Sequence, residues 1–204
     1  EALLAKIEPL AVVFDIGGVF RGNEHIQTAI VRRVQVRLGY CEREARVADY
    51  ELWLEKDGHY PRFLETVERV LGRPWAEVKE TYMVEDQFSR VLHEMFPERY
   101  RSPMDWVAAR DGQAVAALSA EDAARAIKDM LELRAPGKTM FIVVDEVSQY
   151  IFQDDNRMLA LQSLVAALGQ RLRGKVWLLA TGQQQLDDLN DGNVLGKMKD
   201  RFPP

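Results

Sequence analysis

The run Met140-Phe-Ile-Val-Val-Asp-Glu-Val-Ser-Gln-Tyr-Ile151 constrains this chain more than any other. Apolar residues, mostly branched or aromatic, lead straight into two adjacent acids. A run without alternation predicts a strand buried on both faces of a parallel sheet. Ligands of such sheets bind beyond the carboxyl ends of the strands, where Asp145 and Glu146 fall. Two acids at that place suit a division of labour. One helps hold a phosphate-bound metal ion, and the next orients the attacking water. A plain strand ending in an acidic turn gives the same letters, so a second signal is needed.

That signal is Lys175-Val-Trp-Leu-Leu-Ala-Thr-Gly-Gln-Gln184, another apolar run, which ends in hydroxyl and amide groups. Between the two runs, Met158, Leu161, Val165, Leu168 and Leu172 keep the spacing of one helix face. Strand, helix, strand is a parallel crossover, and its handedness brings both strand ends to one edge. Thr181, Gln183 or both then face the cleft of Asp145 and Glu146. Together the runs read as a Walker B strand followed by a strand whose polar end senses a terminal phosphate or positions water. The bland alternative is that Thr181 and Gln183 merely terminate the strand.

Composition narrows the class. The 204 residues carry a net charge of −5, which does not favour direct nucleic-acid binding by the chain as a whole. No apolar run approaches the roughly 18 residues of a membrane span, so no membrane partner is expected. The single cysteine, Cys41, rules out an internal disulfide framework and suits a cytoplasmic protein. His25, His59 and His93 are too scattered for a zinc site. There is neither an initiator Met nor a secretory signal, and the expectation is an excised piece of a longer protein.

A third strand is expected at Leu10–Ile16, closed by Gly17 and Gly18. Helices are expected from His25 to Leu38 and at about 49–57, 61–72, 75–83 and 85–96, broken by Pro61, Gly72, Pro74 and Pro97. Trp53, Phe63, Trp75, Tyr82, Phe88 and Phe96 supply the core of this block. A short helix follows Pro103 and carries Trp106, and Ser119 reads as the N-cap of a helix to Arg134. The fold class is therefore α/β: residues 1–18 and 138–204 form a partial parallel-sheet core, and 19–137 form a large, mostly helical insertion.

A P-loop ATPase needs the turn GxxxxGK[ST] to cradle phosphates, and the chain has none. Yet Phe141–Ile151, Leu161-Gln162, Leu168-Gly169 and Gly174–Gln184 resemble the large P-loop ATPase of BREX bacteriophage-exclusion systems. So do the ending Lys197–Pro204 and, in the helical block, Trp53–Gly58 and Gly72–Trp75. The resemblance spans most of the chain and is strongest from Met140 onward. It implies an AAA+-like core whose P-loop precedes this region. ATP and Mg2+ are the implied cofactors, other BREX components and possibly DNA the partners, and a homo-oligomer the working form. On this likeness Asp145 serves magnesium through water and Glu146 is catalytic. Thr181 and Gln183 contact the nucleotide, and Arg201, in the pair Arg201-Phe202, supplies an arginine finger to a neighbour. The three strands become the second, third and fourth of the core, with Lys175–Thr181 left as an unpaired edge prone to association. Without the loop, the chain alone should bind ATP poorly.

Two other readings stand beside this one. A degenerate ATPase-like scaffold would use the helical block to recruit partners. Alternatively, Val12-Val-Phe-Asp-Ile-Gly-Gly-Val19 resembles the first motif of haloacid-dehalogenase-like phosphatases, with Asp15 as nucleophile. Gly17 stands where that family's second Asp is expected, and a later Gly-Asp-x-x-x-Asp motif is missing.

Overall fold

The computed structural model describes residues 8–19, 25–109, 118–151 and 154–182. In chain order these hold β1 (Pro9–Asp15), α1 (Ile16–Val19), α2 (Ile26–Arg37), α3 (Ala45–Lys56), α4 (Tyr60–Leu71), α5 (Trp75–Val78), α6 (Val84–Met95) and α7 (Asp105–Ala108). Then come α8 (Ala120–Arg134), β2 (Thr139–Asp145), α9 (Val147–Ile151), α10 (Asp155–Leu172) and β3 (Val176–Ala180). The protein is α/β, with one sheet of order β1-β2-β3, parallel throughout. The Met140–Asp145 strand is central, as the strand order implied by the resemblance predicts.

Gln35–Ala116 is one compact unit, and the residues on either side of it form the other. The sheet's unit thus takes in α8 and α2 as far as Val34, elements that the sequence places in the helical insertion. α8 goes with the sheet because it packs along α10, the crossover helix between β2 and β3. Arg171 of α10 closes on Glu121 of α8 at 2.6 Å. Both helices start at a side-chain cap. Ser119 Oγ accepts the Asp122 amide at 3.1 Å, as its sequence predicts. Asp154 Oδ1 accepts the amides of Asn156 and Arg157 at the start of α10.

The expectation that these strands are buried on both faces is corrected. Leu10, Val12 and Phe14 are buried, as are Met140, Ile142 and Val144, together with Val176. The alternate residues are not. In register they form the rows Ala11–Phe141–Trp177 and Val13–Val143–Leu179. Val13 is 69% exposed, Trp177 56% and Leu179 46%. Crossovers that step the same way across a sheet place their helices on the same face, which leaves the other face open. All-apolar letters hide this difference, because packing partners decide which side is covered.

The second unit is built on aromatic rings, but Tyr82, expected in its core, is 92% exposed. Phe88 sits edge-on or tilted against Tyr50, Phe63, Trp75 and Trp106, with centroids 5.0–5.7 Å apart. Glu51 is fully buried among them. Its carboxylate accepts the Cys41 amide at 2.7 Å, the Trp75 indole N–H at 2.8 Å and the Tyr60 hydroxyl at 3.3 Å. Burying a charge is tolerable only with partners of this kind. Two helix boundaries differ from expectation. α3 starts four residues earlier than position 49, capped by Glu44, whose side chain accepts the Arg46 amide. The helix expected over 75–83 stops at Val78: the Glu80 and Thr81 amides turn to carbonyls three residues back, and the Thr81 hydroxyl adds a bond to the Val78 carbonyl at 2.8 Å.

Candidate functional site

Asp15 and Asp145 end β1 and β2 as direct register partners, and Thr181 follows β3 at the same level. Each aspartate uses its own Oδ1 to shape the chain that follows it. Asp15 accepts the Gly17 amide at 2.7 Å, and Asp145 accepts the Glu146 amide at 2.9 Å. Both carboxylates remain exposed, and Glu146 is half-buried.

Thr181 is bound to the end of β2 at three points. Its amide donates to the Val144 carbonyl at 3.0 Å, and its own carbonyl accepts the Val147 amide at 3.0 Å. Its hydroxyl donates to Asp145 Oδ1. Val144, Asp145, Glu146 and Val147 therefore wrap around one residue of the neighbouring strand, in the manner of a bulge. The wrap requires Glu146 to adopt φ 58°, in the left-handed region that glutamate rarely visits. Strain of this kind persists only where the surroundings enforce it, and it gathers at functional sites.

α9 starts at once after the wrap, at Val147. Its Tyr150 is tied to α10. The carbonyl accepts from Arg157 Nη1 at 3.1 Å, and the Arg157 guanidinium lies 4.9 Å from the ring centroid. Arg157 also meets Asp154 at 3.1 Å. The segment after the acids is thus braced from both ends.

The structure brings Asp145, Glu146 and Thr181 together, as the sequence predicts. Gln183 and Arg201 lie outside the described residues. Sequence reading missed Ser148 and Gly182, which meet beside the wrap, because 34 positions separate them. It also weighed Asp15 only as a separate nucleophile, whereas the register sets it beside Asp145.

Among the described residues no group of three or more His, Cys, Asp or Glu side chains is placed to hold a metal ion. This donor set does not make an all-protein cage. It suits Mg2+, which keeps several waters and takes one or two carboxylates along with substrate phosphates. For the phosphates themselves the sequence offers no glycine-rich GxxxxGK[ST] turn. No described helix is long and apolar enough to cross a membrane. No family model and no solved structure matches the chain.

Proposed function

We propose that this chain supplies the metal-and-water side of a P-loop ATPase site, within a longer AAA+-like protein of a BREX-type phage-defence system. The observation that carries this reading is the joining of Asp145, Glu146 and Thr181 where adjacent parallel strands end. Bound ATP with Mg2+ supplies the transferable phosphoryl group. Asp145 would hold the magnesium, and Glu146 would orient the attacking water. Thr181 steadies Asp145, and the resemblance assigns Gln183 a nucleotide contact and Arg201 a role on a neighbouring subunit. The phosphate cradle belongs to polypeptide that this chain does not contain. A net charge of −5 fits contact with DNA through other defence components better than direct contact.

The test compares Glu146→Gln and Asp145→Asn in the full-length protein, following phosphate release and ATP affinity. Glu146→Gln keeps the shape and loses the carboxylate charge, so turnover should fall about a hundredfold or more with ATP and magnesium binding retained. Asp145→Asn should also weaken magnesium-dependent affinity. Hydrolysis by Glu146→Gln at the parent rate would turn the reading toward a scaffold.

A further inference from the structure

We propose that Ser148 and Gly182 are positioning residues, whose close contact seats Thr181 against Asp145. This rests on the ATPase reading above. A Cβ at Gly182 would lie 2.6 Å from Ser148 Oγ and 2.9 Å from Ser148 Cβ. Turning the serine hydroxyl away relieves the first contact and not the second, because the backbone of α9 fixes the Cβ. Nor is glycine needed here for its backbone freedom. Gly182 is not among the residues with positive φ, unlike Gly137 or Gly174. The requirement is for space.

Any side chain at 182 must therefore push α9 away from the end of β3. The path of that push is short. Thr181 adjoins Gly182, Val147 adjoins Ser148, and Val147 N–H to Thr181 O is the bond between them. Opening that bond frees the residue whose hydroxyl holds Asp145 Oδ1. Gly182 and Ser148 touch no reacting atom on this account. They set where the Asp145 carboxylate points, as an outer partner orients a metal ligand.

The test is a rescue experiment in the full-length ATPase with Gly182→Ala, Ser148→Gly and the double variant. Magnesium titrations are run beside Asp145→Asn. Gly182→Ala should raise the magnesium needed for half-maximal turnover about tenfold, the usual scale for a lost outer partner. The double variant should return to within about twofold of the parent, because removing the serine side chain restores the space. Hydrogen exchange on the 204-residue chain should show the Thr181 and Val147 amides losing protection in Gly182→Ala, with the β1 amides unchanged. If Gly182→Ala does not fold, Ser148→Thr crowds the same contact from the helix side and should act in the same direction. An unchanged magnesium requirement, or a defect that Ser148→Gly does not rescue, overturns the proposal. If Asp145→Asn itself leaves the magnesium requirement at the parent value while the two amides respond as expected, the ATPase reading fails and the steric seat stands without its function.

Discussion

The Thr181 hydroxyl donates to Asp145 Oδ1, the oxygen that also accepts the Glu146 amide. One carboxylate oxygen thereby joins the turn after β2 to the residue after β3. Thr181→Val keeps the branched shape and loses the donor, whereas Thr181→Ser keeps it. In the full-length protein, Val should raise the magnesium requirement about tenfold and Ser should stay near the parent. Equal behaviour of the two in magnesium titrations would assign Thr181 to strand packing alone.

Backbone strain at Glu146 can be separated from its carboxylate. Glu146→Gly and Glu146→Ala both remove the acid, but only Gly adopts φ 58° freely. Gly should therefore be more stable than Ala by about 1 kcal/mol, while both lose turnover. Urea midpoints of the two variants measure the difference, and coincident midpoints would show the left-handed turn to be unstrained.

In the aromatic unit the most sensitive polar position is Glu51. Glu51→Ala strands the buried Cys41 amide and Trp75 indole N–H and opens a cavity. A loss of about 3 kcal/mol is expected from two unsatisfied buried donors. Chemical denaturation followed by tryptophan fluorescence reads it, and a loss below about 1 kcal/mol would mean that water replaces the carboxylate.

Burial pushes the Cys41 thiol up from 9.0 to about 11, helped by the negative charge of Glu51 and opposed by backbone hydrogen bonds. The thiol should resist alkylation at pH 8 until the chain unfolds. The unfolded thiol ionises first. Its contribution to stability is therefore complete below about pH 9 and is lost as pH rises toward 11. Parent and Cys41→Ala, compared by urea midpoint from pH 8.5 upward, should diverge in slope, the parent falling faster. Parallel slopes would count against a buried, protonated thiol.

The two faces of the sheet should answer differently to substitution. Ile142 is fully buried, and Ile142→Ala should cost about 2–5 kcal/mol. Trp177→Lys, on the open face of β3, a strand with one sheet neighbour among the described residues, should change stability by no more than about 0.5 kcal/mol. It should also reduce self-association in sedimentation, since a charge on an edge strand blocks pairing. A cost like that of Ile142→Ala would show Trp177 to be covered in solution.

Much of this arrangement was legible in the letters. The apolar runs, the helical spacing between them and the crossover rule suffice to put Asp145 and Thr181 at one edge, whereas the central place of the Met140–Asp145 strand needed the strand order that the family resemblance implies. What stayed hidden depends on partners. Leu10, Val12 and Phe14 differ from Ala11 and Val13 only in what packs against them. Glu44 is an unusual cap, and the helix at Trp75 ends after one turn where the letters allow it to continue. Glu146 is among the last residues one would place at positive φ. The meeting of Ser148 and Gly182 exists only once the strand ends are adjacent.

The open face reaches the chemistry through the pleat. Asp15 and Asp145 stand on the side of Ala11, Val13, Phe141 and Val143, with Thr181 following Trp177 and Leu179. The acids are thus the rim of an apolar floor. While water lies on that floor, it screens the charges at its edge. Anything apolar laid there lowers the local dielectric, and the pull of the same carboxylates on a cation grows with no movement of the strands. The field at the strand ends thus depends on what touches Val13 and Trp177 as well as on the acids themselves.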